Sequence, residues 1–425
     1  MRCALMLMAA SCLLSTVSAQ WLETTIALDS GSAPSALCYN SYGDKVYAAD
    51  WGTSRVTVIT GANQIQSIMS VGSRPFALCY NPQINRIYCA NFEAGSVTVI
   101  GGVADDIKAT VSVGGQPRAL CYNSANNKVC CANSQTASVT VIDGASDSAV
   151  ANVPVGGKPF ALCYDSANNR VFCANNQDGS VSVIDGTTDS VIATDTVGIQ
   201  PYALCYNPTN NRVYCANYGS NSVSVIDGAT NAILSTIAVD AGPRALCYDV
   251  YDNRIYTANE SGTVSVIDCA ADSVIATETS GPSPVAICYN SRNHKVYSAN
   301  YQGSSVVAIS CLTNWVLNTF TVGDQPTAFT YNRALNRVYV ANYGSASISV
   351  LRDSFSGIEE SHKSQALSRK LAATIGRCLP QGAVAFDAMG RRVLDPKPGV
   401  YFVCEQSAVG GRPSAVAVRK VVIQR

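Results

Sequence analysis

Eighteen cysteines and two histidines are the side chains of this 425-residue chain best equipped for nucleophilic or metal chemistry. Their spacing decides what they can do. Cys38, Cys79, Cys121, Cys163, Cys205, Cys247 and Cys288 recur 41 or 42 residues apart. Cys89, Cys131, Cys173 and Cys215 hold a second position at a 42-residue step. No Cys-x-x-Cys pair is present, and zinc needs its ligands clustered. Copies without the second-position cysteine carry Thr257, Ser298, Val340 or Ala there. A disulfide position would not drift to a lone small residue while its partner stayed Cys, so these thiols read as small buried hydrophobes. Disulfides within a copy stay open, because strand register is unread, and so does a pair between Cys378 and Cys404. His294 and His362 cannot by themselves build a multi-histidine metal centre or a haem site. Asp143, Asp185, Asp227 and Asp268 each open a turn of the Val-Ile-Asp-Gly type and read as turn residues. There is no Gly-x-Ser-x-Gly elbow and no phosphate-cradling Gly-Lys-Ser/Thr loop. No catalytic residue, metal set or cofactor is assigned, although oxygen-rich turns of this kind could take calcium.

A different set of residues has the chemistry of recognition. A proline recurs at the same step: Pro34, Pro75, Pro117, Pro159, Pro201, Pro243, Pro284 and Pro326. The residues beside it vary from copy to copy. Before it stand Arg74, Gln116, Lys158, Gln200 and Gln325, with Ala33, Gly242 and Ser283 in the other copies. After it stand Phe76, Arg118, Phe160, Tyr202 and Arg244, with Ser35, Val285 and Thr327. Rings to stack on, with amides and guanidinium forks to hydrogen-bond, suit a sugar or a peptide. Arg74, Phe76, Gln116, Arg118, Lys158, Phe160, Gln200, Tyr202, Arg244 and Gln325 are therefore the expected ligand-binding residues.

The repeat that spaces these residues also dictates the fold. Tyrosines of a Cys-Tyr-Asn-like motif fall at Tyr39, Tyr80, Tyr122, Tyr164, Tyr206, Tyr248, Tyr289 and Tyr331, in steps of 41 or 42. Each copy holds four short β-branched or aromatic runs separated by Asn-, Pro-, Asp- or Gly-rich turns. In one copy these are Tyr202–Tyr206 (strand A), Arg212–Ala216 (B), Val223–Ile226 (C) and Ile233–Val239 (D). Four antiparallel strands per copy is one blade of a propeller. The near-continuous apolar runs fit blades buried on both faces. Strand A, with its small residues, should lie nearest the axis, which places the proline-flanking residues around one channel mouth. The eighth copy ends after its strand C, while Thr24–Leu28 reads as a spare strand D. The expected fold is all-β: a closed propeller of eight blades, with seven as the alternative, closed by the N-terminal strand. Closure removes the open edges that invite aggregation.

At this point a resemblance is visible. The stretches NNRVYCANYGSNSVSVIDGATNAIL (210–234) and LNRVYVANYGSASISVL (335–351) resemble the YVTN family of β-propeller repeats over about 330 residues of this chain. The resemblance implies an extracellular or surface-layer propeller. The departure is Cys or Ala where that family more often has Val.

The ends carry routing signals. Arg2, the apolar run Ala4–Leu14 and Val17-Ser18-Ala19 read as a signal peptide over residues 1–19. No later segment is apolar for long enough to span a bilayer as a helix. The propeller is expected over 20–353, a polar linker over 354–364 and a small β-sandwich over 365–425. The stretch AFDAMGRRVLDPKPGVYFVCEQ and the final VRKVVIQR are similar to the C-terminal sorting domain of type IX secretion substrates. That resemblance implies export machinery as a partner and an outer-surface or extracellular location. Beyond Asp353 there are eleven Lys/Arg against five Asp/Glu, and the body carries 17 against 24. An acidic body is no general nucleic-acid binder. The function expected is a non-catalytic secreted or surface module for protein or glycan. The alternatives are a lactonase-like metal-dependent hydrolase and a structural surface-layer component.

Overall fold

The computed structural model describes residues 20–353 and, beyond them, four strands between 384 and 423. The expected signal peptide (1–19) and linker (354–364) lie outside the described residues. The first 334 described residues form eight four-stranded antiparallel sheets. Blade 1 runs through Pro34–Asn40 (A), Lys45–Asp50 (B), Arg55–Thr60 (C) and Ile65–Ser70 (D), and blades 2 to 7 repeat that order. The A strands touch one another in sequence around the ring, and strand A of blade 8 touches strand A of blade 1. That closed contact cycle makes strand A the inner wall.

The eighth blade is a composite. Its strands Pro326–Asn332, Arg337–Asn342 and Ser347–Asp353 come from the end of the array, and its outer strand is Gln20–Ala27. The pairing is antiparallel and runs from Gln20 opposite Asp353 to Ala27 opposite Ser347. The spare strand D legible near the N-terminus is therefore the closing strand, and the blades number eight.

Strands B and C are buried on both faces, as in Arg86–Asn91 and Ser96–Gly101. Strand D buries little: in Asp106–Ser112 only Val111 is fully covered. Neighbouring blades are joined by apolar clusters such as Tyr88, Val97 and Val99 against Val129, Cys131 and Ile142. Burying side chains of this size contributes about 1.5–3 kcal/mol each. Polar links give the interfaces direction. The hydroxyl of buried Tyr88 donates to Asp147 of the next blade at 3.1 Å, and Tyr297 donates to Asp353 at 3.0 Å. Tyr339 of blade 8 reaches Asn63 of blade 1 at 2.9 Å, so this tie also crosses the closure.

The tail beyond the propeller is a separate compact unit, divided from it between Gly357 and Ile358. Its described strands Val384–Phe386, Arg392–Val393, Gly399–Val409 and Arg412–Ile423 form one antiparallel sheet. The expected sandwich needs a second layer, which the described residues do not supply.

Candidate functional site

Each strand A begins with a β-bulge, and the bulge presents the site. In blade 3, Pro117 pairs with Asn133 and Ala119 with Ala132, leaving Arg118 as the extra residue. The same shift occurs after the proline in all eight blades. A bulge re-aims the side chain it carries. Phe76, Arg118, Phe160, Tyr202 and Arg244 all occupy this position. The residue before each proline has positive φ, for example 53° at Arg74, 55° at Gln116, 54° at Lys158, 55° at Gln200 and 53° at Gln325. Its carbonyl accepts a hydrogen bond from the residue that follows strand B, as Arg74 does from Phe92 at 2.9 Å. One backbone clamp per blade thus holds three variable side chains at the mouth.

The third of these, the residue after strand B, was not singled out from the sequence. In blades 1, 2, 5 and 6 it is Trp51, Phe92, Tyr218 and Glu260. It varies at the same period as the other two, and that was the available signal.

The structure brings these residues together as an arc. Trp51, Phe76 and Phe92 form a three-ring cluster with centroids 5.5–5.8 Å apart. The Arg74 guanidinium lies 5.3 Å from the Trp51 ring and pairs with Glu93 at 3.2 Å. Arg118 sits between Phe76 at 4.8 Å and Phe160 at 3.5 Å. Phe160 packs on Tyr202 at 4.5 Å, and Tyr202 on Tyr218 at 5.8 Å. Arg244 lies over both tyrosines, donates to the Tyr202 hydroxyl at 3.2 Å and pairs with Glu260 at 2.8 Å. Tyr218 donates to the same carboxylate. Cation–π contacts of this kind are worth about 0.5–2 kcal/mol each.

Arg118 differs from its neighbours. It has no carboxylate partner among the described residues, and burial pulls its pKa down from the usual arginine value, partly offset by the Tyr202 phenol. By contrast, hydrogen bonds from Arg244 and Tyr218 hold the Glu260 carboxyl below its usual range, against the opposing effect of burial. Lys158 and Gln200 extend into solvent beside the arc, and Lys158 has no ion pair among the described residues. Gln116 is exposed and Gln325 half-buried. On blades 1 and 8 the bulge residue is occupied structurally. Ser35 donates to the Pro75 carbonyl at 2.9 Å and Thr327 to the Pro34 carbonyl at 3.1 Å. At the bulge position rings and cations fall on blades 2 to 6 and backbone ties mark the closure, while Tyr301 and Tyr343 hold the position after strand B on blades 7 and 8.

The other repeated groups are structural. Asp143 accepts the backbone amides of Ala145 at 3.1 Å and Ser146 at 2.8 Å, and these hydrogen bonds lower its pKa. Asn91 donates to Ser96 at 3.1 Å and Thr98 at 2.9 Å, fastening strand B to strand C. The fourteen cysteines of the propeller are free thiols. The bulge explains why most cannot pair within a blade. Cys79 lies opposite Tyr88, while Cys89 lies opposite Leu78, so the two thiols are on different faces. Burial raises the thiol pKa, to about 12 at Cys79 and Cys163.

The fold and its ring of variable side chains define the class of an eight-bladed β-propeller. Solved structures agree on the fold. The chain is similar to hydrazine synthase of Kuenenia stuttgartiensis, with a TM-score of 0.56 and 14% identity, covering 78% of this chain and 98% of that one. It is also similar to Sqt1 of Saccharomyces cerevisiae, with a TM-score of 0.68 and 13% identity, covering 78% of this chain and 99% of that one. At such identities the likeness is one of fold. No protein-family model matches the chain, and no curated protein does. No helix among the described residues is long and apolar enough to cross a membrane.

Proposed function

We propose that this protein is an exported or surface-displayed recognition module. It binds a protein or glycan ligand at the channel mouth without catalysis. The observation that carries this reading is Arg118, a cation held between two aromatic faces with no carboxylate partner among the described residues. A guanidinium so placed keeps its hydrogen-bonding edge for a ligand's carboxylate, sulfate or phosphate, while Phe160 and Tyr202 offer rings for an apolar face. Export rests on the signal-peptide pattern of residues 1–19 and on the tail's resemblance to type IX sorting domains. The repeats' resemblance to YVTN propellers agrees with an outer-surface location.

The test is binding of the full-length protein to an array of acidic and neutral glycans and envelope peptides. Arg118→Ala with Phe160→Ala is expected to abolish binding, while the loss of two cation–π contacts and one ring pair lowers the melting temperature by about 2–8 °C with unfolding still cooperative. Undiminished binding by the double variant would remove the mouth from consideration. One observation favours the structural surface-layer reading instead. On blade 7, Leu312 and Trp315 are 80% and 68% exposed on the outer rim, where a neighbouring copy could cover them. Ordered self-assembly lost on Trp315→Ser would support that reading. The lactonase-like alternative has less support at the mouth, where Glu93 and Glu260 are already paired with arginines.

A further inference from the structure

At the end of strand A away from the mouth, the blades are joined by a second belt. In six of the eight blades strand A ends in an Asn whose amide donates to the A–B turn residue of the next blade; blades 4 and 6 end in Asp165 and Asp249. Asn40 meets Asn85 at 2.9 Å, Asn81 meets Asn127 at 2.8 Å and Asn207 meets Asn253 at 2.8 Å. A glycine in the C–D turn makes room for this amide link. A Cβ at Gly102 would lie 2.2 Å from Asn85 Oδ1 and 2.6 Å from Asn40 Nδ2. A Cβ at Gly186 would lie 2.4 Å from Asn169 Oδ1 and 2.5 Å from Asn123 Nδ2. A side chain at this position therefore points into the link.

Between blades 6 and 7 all three positions change. The strand A terminus is Asp249, the turn residue is His294, and the glycine column holds Cys311. His294 Nε2 stands 3.0 Å from Asp249 Oδ2. The imidazole, carboxylate and thiol each offer one ligand atom, all within 4.8 Å of one another. Asp249 and Cys311 are fully buried, whereas the His294 side chain is 29% exposed and leaves a path from solvent. A second carboxylate, Asp252, lies 3.3 Å from His294 Nε2.

A further group lost its partner in the same exchange. In five other blades the strand A tyrosine donates to the turn residue five positions on, as Tyr206 does to Asn211 at 3.1 Å and Tyr331 to Asn336 at 3.2 Å. With His294 in that place, the buried Tyr289 hydroxyl has no hydrogen-bond partner.

We propose that Asp249, His294 and Cys311 form a binding site for a divalent transition-metal ion of the zinc type. Metal–ligand bonds of about 2.0–2.3 Å set the ligand atoms of a tetrahedral site roughly 3.2–3.8 Å apart. The trio meets that spacing with side-chain shifts of about 1 Å. Mixed sulfur, nitrogen and oxygen donors suit zinc or cobalt rather than calcium or magnesium. On binding, the Cys311 thiol gives up its proton to solvent, and thiolate plus carboxylate balance the dication. Asp252 or a water beside the Tyr289 hydroxyl completes the fourth position. This site is independent of the mouth, roughly 20 Å away along strand A.

The experiment is cobalt(II) titration of untagged, full-length, phosphine-reduced, chelator-stripped protein, followed by displacement with zinc(II). The expected result is one equivalent of cobalt, with a thiolate-to-metal charge-transfer band and intense four-coordinate visible bands. Zinc should abolish both and raise the melting temperature. Cys311→Ser should lose the charge-transfer band. Asp249→Asn with His294→Asn rebuilds the Asn207–Asn253 type of link and should melt cooperatively yet bind no cobalt. Cys269 holds the same column in blade 6 beside an amide link, so Cys269→Ser should change nothing. No charge-transfer band in the parent protein, or a band that survives Cys311→Ser, would overturn the proposal. Survival of the band in the folded double-amide variant would do the same.

Discussion

Asp50→Asn tests the account of the strand B terminus most sharply. Seven blades place Asn there, and blade 1 places a buried Asp. Thr57 donates to Asp50 Oδ2 at 2.6 Å, but Oδ1 has no partner. Burial pushes the carboxyl from its ordinary value of 3.8 up to about 7, against the smaller opposing effects of Thr57 and Arg55. The folded chain thus holds this proton more tightly than the unfolded chain. The associated stability is complete below about pH 3.8 and is lost as pH rises to about 7. A shift of about three units at 1.36 kcal/mol each amounts to about 4 kcal/mol at pH 8, but only about 1 kcal/mol at pH 4.5. The neutral amide of the variant would carry no such penalty and could donate to Thr57, as Asn91 does to Thr98. For a propeller of this size the variant should melt about 6 °C above the parent at pH 8 and about 1.5 °C above it at pH 4.5. Circular dichroism melts at the two pH values measure both gaps. A gap that does not change with pH, or a variant that melts below the parent at pH 8, would refute the reasoning.

Two further outcomes follow from the register. Deleting residues 20–28 strips the outer strand from blade 8 and exposes the Ser347–Asp353 edge. Size-exclusion chromatography should then show association, and a monodisperse monomer with unchanged melting would count against the closure. Among the described A–B cysteine pairs, Cys121 and Cys130 stand directly opposite each other. Mild oxidation should link these two, as read by peptide mapping, and Cys130→Tyr should prevent it; a Cys79–Cys89 link would show that the register is wrong.

Much of the propeller was legible because its physics repeats. The recurrence of Pro, Tyr and Asn pointed to eight blades, with seven as the alternative, and to the strand order, and Thr24–Leu28 could be recognised as a displaced strand D. The mouth was legible in part. Positions that vary within a fixed frame pointed to Arg118 and Phe160, and the same rule applied one column further would have found Trp51, Phe92, Tyr218 and Glu260. What could not be read was the face each side chain takes. The bulge after every proline inserts one residue and reverses the alternation, so counting along strand A misjudges which residues oppose strand B. Thiol pairing stays open in the sequence for that reason. The Asp249–His294–Cys311 group escaped because its members come from separate turns of two blades. Each looks ordinary alone and becomes conspicuous only as a departure from its own column.

Closure by Gln20–Ala27 also sets a timetable. The first strand of the ring has no partner until Ser347–Asp353 has been made, more than 300 residues later. Bringing the two together carries a loop-closure cost of about 5 kcal/mol if the intervening chain is unstructured, and less once the inner blades have stacked. The ring therefore cannot be sealed until the chain has been made through Asp353, however well the individual blades form. For the export proposed above, that delay keeps the chain open, because the contact that locks the circle is made only after the eighth blade.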